Sequence, residues 1–265
     1  MYSFNYQKVK SVADAAGLLS KDADARPLAG GQSLVAAMKL RLAKPTDVVD
    51  LGSIAELRGI KVEGNAVVIG AMARHVEVAT SAEVKKAIPA LASLAAGIGD
   101  RMVRNMGTMG GSVANNDPAA DYPAGVLALN ATVITNKRKI EADKFFKGMY
   151  ETALEQGEII TAISFPIPKR GAYMKFKNPA SRYAIVGVFI ADFGNAVRVA
   201  VTGAAAGVFR VAEMEKALGA KFAPESVANI KVSDADLNSD MHAKADYRAH
   251  LITVMAKRAV EKALG

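Results

Sequence analysis

The sequence predicts an α+β chain in three parts: a small βαβαβ part over residues 1–55, a larger α+β part over 56–168, and a C-terminal part over 171–265 made of a three-stranded antiparallel sheet with helices. Three observations carry this expectation. Hydrophobic residues make up 51% of the 265, enough to bury more than one pair of layers. Strand-like and helix-like stretches alternate in short units up to residue 51 and then give way to longer mixed stretches. Pro166, Pro168, Lys169, Arg170 and Gly171 concentrate turn formers between two apolar runs and place the main boundary there.

The elements follow in order. Residues 3–9 read as a strand, and Ser11 with Asp14 three positions on resembles a capping box that opens a helix over 12–19. A strand over 26–29 enters a glycine-rich loop. Ser33 caps a helix running through Leu34, Ala37, Met38 and Arg41, and Pro45 stops it before a strand over 47–51. Beyond Leu57 come a strand at Ala66–Gly70, a helical stretch over 84–96, a second glycine-rich segment, a short buried helix over 123–130, and strands over 131–135 and 158–166. Lys137, Arg138 and Lys139 read as a hairpin tip. After the boundary, 173–177, 184–192 and 196–204 are three consecutive strands, followed by helices over 211–218 and 243–264. In the last helix Leu251, Val254, Met255 and Ala259 recur at three- and four-residue spacing and form a core-facing stripe.

Composition removes several function classes. With no cysteine, the chain has no disulfide, thiolate zinc site, thiol nucleophile or iron–sulfur cluster of its own. His75, His242 and His250 stand apart from any carboxylate pattern that would make a metal site, and read as solvated or capping residues. The net charge of +8 is spread along the chain, and the 6% of aromatics do not interleave with it, which argues against nucleic acid and for an anionic cofactor or acidic partner subunits. There is no run of eighteen apolar residues to span a membrane, and the first residues lack the basic-then-apolar pattern of a secretory signal, so a cytoplasmic protein is expected.

Two segments carry the chemistry: Ala29-Gly30-Gly31-Gln32-Ser33-Leu34, and Thr108-Met109-Gly110-Gly111-Ser112-Val113-Ala114-Asn115-Asn116. Each joins a Gly-Gly pair to a nearby hydroxyl. Glycines let the backbone approach an anion, while successive N–H groups and hydroxyls donate to phosphate oxygens, so two such loops can grip a diphosphate from both sides. An anion at the first loop also meets a helix N-terminus. Other motifs fail. Gly97-Ile98-Gly99 begins a dinucleotide fingerprint but Met102 occupies the third glycine position. No phosphate loop with Gly-Lys-Ser/Thr exists, no histidine stands by to activate Ser33 or Ser112, and Asp117 and Asp121 lie beside Pro118 and Pro123, where turn capping is the common use.

These motifs, with Met38-Lys39-Leu40-Arg41, Pro45, Asp50-Leu51, Ile98-Gly99-Asp100, Val103-Arg104-Asn105 and Asn116-Asp117-Pro118-Ala119-Ala120-Asp121, resemble the FAD-binding medium subunit of the molybdenum hydroxylases. That group contains aerobic carbon monoxide dehydrogenase, and the chain is similar also to the flavin domain of xanthine dehydrogenase; the likeness runs from Phe4 to Leu264. It implies a two-subdomain FAD-binding fold followed by the C-terminal sheet, with noncovalent FAD between the first two parts. Ala29, Gly30, Gly31, Gln32, Ser33 and Leu34 would hold one side of the pyrophosphate. Thr108, Gly110 and Gly111 would donate to the other side, with Asn115 or Asn116 approaching it. By the same resemblance Asp121 meets the adenosine ribose, Val35 and Ile98 face the flavin ring, and Ile160 lies near a main-chain contact to adenine or flavin. Lys177 sits at the pyrimidine edge and Tyr183 over the ring.

The resemblance further implies partners: a molybdenum-binding large subunit carrying molybdopterin and a small subunit carrying 2Fe-2S clusters, assembled as a dimer of heterotrimers. Electrons would pass from those clusters through FAD to an external acceptor. Relatives with an extra cluster in this subunit need cysteines, which this chain lacks. Two other readings compete: a stand-alone flavin oxidase, which needs a substrate domain and a base over the flavin, and a nucleotide-binding docking protein, which needs no redox-active ring.

Overall fold

The computed structural model describes residues 1–265. The N-terminal part runs β1 (Asn5–Lys8), α1 (Val12–Lys21), β2 (Arg26–Leu28), α2 (Leu34–Lys39) and β3 (Asp47–Asp50). Its sheet has the order β1-β3-β2 with both pairings parallel, the arrangement that helical crossovers require. The expected cap forms: the Ser11 hydroxyl accepts the Asp14 N–H at 3.1 Å and donates to the Asp14 carboxylate at 2.7 Å. Apolar faces of α1 and β3 close a small core of Val12, Ala15, Leu19, Val49 and Leu51, completed by Ile54 and Leu57 from a single 3₁₀ turn.

The second part is a five-stranded antiparallel sheet, order β4-β5-β10-β6-β7, covered by short helices. It opens with β4 (Ile60–Glu63) and β5 (Ala66–Gly70), a hairpin whose turn uses Gly64 at φ +57. The sequence does not signal β4, an edge strand with partly exposed side chains and therefore no strong apolar pattern. Then come α3 (His75–Thr80), α4 (Ala82–Ala87), α5 (Pro89–Ala96), α6 (Arg101–Met106), α7 (Met109–Asn115) and α8 (Tyr122–Ala128). The single helix expected over 84–96 is broken, because Pro89 has no N–H to continue α4 and instead starts α5. β6 (Thr132–Thr135), β7 (Lys139–Glu141), α9 (Ala142–Phe145), β8 (Phe146–Gly148), β9 (Glu151–Thr152) and β10 (Ile160–Pro166) complete the part.

The hairpin tip between β6 and β7 is anchored. Arg138 reaches Glu158 with both Nε and Nη2 at 3.0 Å, and the Thr135 hydroxyl donates to the same carboxylate at 2.7 Å. Burial opposes this charge, but the bonds from Arg138, the Glu155 N–H and Thr135 outweigh it and hold the Glu158 carboxyl at about 2, below its ordinary 4.5. An acid with a depressed pKa stabilises the fold above its unfolded value, and that contribution is lost as pH falls from about 4.5 toward 2. Thermal melts across that window should show wild type losing stability more steeply with acid than Glu158→Gln; parallel curves would remove Glu158 from the acid response.

The C-terminal part runs β11 (Arg170–Lys177), β12 (Ala184–Asp192), β13 (Val197–Thr202), β14 (Phe209–Arg210), α10 (Ala212–Ala220), α11 (Glu225–Ala228) and α12 (Ala245–Leu264). The three long strands are antiparallel as expected, and the two-residue β14 adds a fourth at the edge. Every residue of β12 is buried, which explains its unbroken apolar run. Val186, Val188 and Ile190 join the core under α10 and α12, while Phe189 and Ala191 join the core of the second part with Leu91, Tyr122 and Val126. The sheet is thus the layer shared by the second and third parts.

Candidate functional site

The two glycine segments lie side by side. A Cβ on Gly30 would meet the Met106 carbonyl and come within 2.8 Å of the Gly107 Cα, and a Cβ on Gly111 would stand 3.6 Å from the Ala29 Cβ. The segments are far apart in the chain, yet backbone touches backbone here, and only because Gly30 carries no side chain. Gly31, at φ +72, turns the chain from β2 into α2. From there the consecutive N–H groups of Gly30, Gly31, Gln32, Ser33 and Leu34 have no hydrogen-bond acceptor in the protein. Such a run of free donors at a turn leading into a helix is a nest for an anion. Ser33 leaves its hydroxyl free as well; the expected cap on α2 does not form, because Ser33 is itself in the αR region.

The second segment is more selective than expected. The Thr108 hydroxyl accepts the Gly111 N–H at 3.2 Å, as the cap of α7, and keeps its own proton for an outside acceptor. Gly110 is not a donor to the gap: its N–H binds the Ala71 carbonyl at 2.8 Å, and it is glycine because a Cβ would strike the same Ala71 backbone. Asn116 is also corrected. It ends α7 in the left-handed region at φ 44, and its amide donates to the Gly148 and Glu151 carbonyls at 2.7 and 2.9 Å, so it anchors β8 and β9. Asn115 is half-buried and makes no side-chain bond.

Around this cradle, Val35 on the first turn of α2 and Ile98 after α5 are half-buried, Val35 lying 3.0 Å from the position of a Gly31 Cβ. The Ile160 side chain is buried in the core of the second part, at a register shift of β10 where Ile160 pairs with Thr135, so the side chain is not available to a ligand. Asp121 is 5% exposed and already engaged: the Tyr173 hydroxyl donates to its Oδ1 at 2.5 Å and Lys175 pairs with it at 2.9 Å. Burial pushes its carboxyl up, against the opposing pull of Lys175 and Tyr173. Lys177 is exposed at the end of β11, past a register shift, and unpaired; the lysine that the fold buries beside Asp121 is Lys175, two positions earlier. Tyr183 is 48% exposed at the end of a turn closed by the Asn178 N–H on the Tyr183 carbonyl.

His75, read from sequence as solvated or capping, is 4% exposed, with its ring against Gly107 and 5.3 Å from the ring of Tyr122. Burial, then the charge of Arg104, pushes its pKa down to about 4, so it is neutral at physiological pH. Its backbone N–H holds the Gly107 carbonyl at 2.9 Å and thereby seats the cradle on α3. Nothing in the sequence around His75 distinguishes it from a surface residue.

Free backbone donors, an unplaced threonine proton and glycines at the point of closest approach fit a dinucleotide pyrophosphate. Comparison with known proteins agrees. Residues 2–168 match the FAD binding domain in molybdopterin dehydrogenase, and 171–263 match the CO dehydrogenase flavoprotein C-terminal domain. The carbon monoxide dehydrogenase medium chain of Hydrogenophaga pseudoflava is 37% identical over 98% of this chain and 96% of its own. The nicotine 6-hydroxylase medium subunit of Paenarthrobacter nicotinovorans is 35% identical, covering 98% and 97%. The solved structure of quinoline 2-oxidoreductase from Pseudomonas putida 86 superposes with a TM-score of 0.90 at 30% identity, over 99% of this chain and 97% of that one. Fold and cradle together define an FAD-binding oxidoreductase subunit. The chain belongs to the FAD-binding medium subunits of the molybdenum hydroxylases and serves electron transfer in a multi-subunit enzyme.

Proposed function

We propose that residues 1–55 and 56–168 form the two walls of the FAD cleft and that 171–265 closes it. The N–H groups of Gly30, Gly31, Gln32, Ser33 and Leu34 hold one side of the pyrophosphate, and the Thr108 hydroxyl, oriented by the Gly111 N–H that it accepts, holds the other. The observation that carries this reading is the run of unpaired donors beside Thr108. Ala29 and Asn115 flank the phosphates, and Val35 and Ile98 offer apolar contact to the ring. FAD, when bound, supplies the redox chemistry. This chain's own residues bind it, orient it and bury part of its surface. With no cysteine for attachment, acid precipitation should release all the flavin into the supernatant. Yellow colour kept by the pellet would refute noncovalent binding.

In this reading the partners are a large subunit with molybdopterin and a small subunit with 2Fe-2S clusters, assembled as a dimer of heterotrimers in the cytoplasm. An external acceptor takes the electrons. Relatives named for carbon monoxide and for nicotine set the range of substrates, which belongs to the large subunit. The isolated chain should therefore keep its flavin colour when mixed anaerobically with carbon monoxide, a purine or another N-heterocycle, and the assembled complex should bleach with its own substrate. Rapid bleaching of the chain alone would favour a stand-alone oxidase.

A further inference from the structure

One ammonium group ties together three segments of the site. The Lys175 side chain, 8% exposed, carries three protons. One goes to the Gly97 carbonyl at 2.9 Å, one to the Arg182 carbonyl at 3.0 Å, and one to the Asp121 carboxylate, 2.9 Å from Oδ1 and 3.1 Å from Oδ2. Gly97 ends α5 and immediately precedes Ile98. Arg182 immediately precedes Tyr183. Asp121 starts α8 and also accepts the Tyr173 hydroxyl. Arg182 is held at φ 62, a conformation that costs a non-glycine residue energy and persists only where its surroundings enforce it. Its N–H is bound by the Asn178 carbonyl at 2.9 Å and its carbonyl by Lys175, so both ends of its peptide environment are tied.

We propose that Lys175 is a positioning residue of the FAD cleft: by placing one proton on each of Gly97, Arg182 and Asp121, it sets the separation between the Ile98 segment and the Tyr183 loop. This rests on the FAD reading above, and it gives the C-terminal part a defined task in cofactor binding. An ammonium with every proton engaged in a buried place cannot shift toward one partner without abandoning another, so the three segments move together or not at all. Lys177, exposed and unpaired, has no such hold on either segment.

The test is the double variant Lys175→Met with Asp121→Asn, which removes both charges and leaves neither buried alone. Wild type and variant apoproteins are titrated with FAD by calorimetry, and the visible circular dichroism of the bound flavin is recorded beside far-ultraviolet spectra. Expected is a folded variant that binds FAD at least about tenfold more weakly and loses most of the induced visible signal. Unchanged affinity and unchanged visible signal would overturn the proposal. Should the double variant fail to fold, Lys175→Arg decides: the planar guanidinium keeps the charge but cannot send single donors in three tetrahedral directions. Again a lost visible signal supports the clamp and an unchanged one overturns it. Wild type that binds no FAD would sink the FAD reading and the clamp with it.

Discussion

Gly30→Val is expected to abolish FAD binding while the chain stays folded. Two effects act at one position. A Cβ there falls on the Met106 carbonyl and within 2.8 Å of the Gly107 Cα, both backbone atoms that have no rotamer by which to yield. The loop must then swing away from α6, and the donors of Gly30 to Leu34 leave the Thr108 hydroxyl with which they share the anion. Losing three or four charge-assisted bonds at about 1.5 kcal/mol each amounts to roughly three orders of magnitude or more in affinity. Gly17 is the control: it lies on α1, and a Cβ added there would have nothing within 4 Å, so Gly17→Ala should bind FAD as wild type does. Calorimetric titration of the two apoproteins separates the outcomes, and wild-type affinity in Gly30→Val would overturn the cradle. Gly110→Val is a different experiment. It should unfold the second part, because the clash is with Ala71 in the core rather than with a loop.

The second large effect is on stability. Arg248, 3% exposed on α12, donates to the Ile185 carbonyl at 2.7 Å, the Gly203 carbonyl at 2.9 Å and the Asp240 carboxylate at 2.7 Å. Those carbonyls lie at the start of β12 and just past the end of β13, where the Gly203 N–H also binds the Pro118 carbonyl at 2.8 Å. The guanidinium therefore joins the last helix to the sheet and, through the sheet, to the loop before α8. Arg248→Met keeps an apolar stem but removes the guanidinium and strands two buried carbonyls, at a cost of about 3–5 kcal/mol. For a chain of this size that corresponds to a fall in Tm of roughly 10 °C. Scanning calorimetry of the apoprotein measures it, and a Tm within about 2 °C of wild type would show that water replaces the guanidinium at the carbonyls.

Part of this structure is legible in the linear chain. The apolar run of β12, the alternation of β1, α1, β2, α2 and β3, the Ser11 cap and both Gly-Gly loops are local patterns, and local sterics and hydrogen bonding decide them. The same holds for what is excluded: without cysteine there is no cluster on this chain, whatever its fold. The short helices α3 and α6 give no signal in the sequence because six residues are too few to show a period; α3 persists by packing on α5, and α6 by packing on α3.

Which member of each motif is left with a free polar group is a tertiary matter. Gly110 and Gly111 are indistinguishable in sequence, but β5 runs into Ala71 on one side of α7 and takes the Gly110 N–H, leaving only Gly111 beside the hydroxyl of Thr108. Asn115 and Asn116 are divided by the end of α7, where the left-handed residue turns its amide toward Gly148 and Glu151. Lys175 and Lys177 lie two residues apart on β11 with a register shift between them, and the approach of Asp121 at the start of α8 makes one a buried ion pair while the other stays in water. Residue type and spacing thus determined the fold class and the two glycine loops, because those depend on neighbours in the chain. The partner of each donor was decided by elements distant in sequence, as with Lys175 and Asp121, since a hydrogen bond is satisfied by whatever acceptor the fold brings within reach.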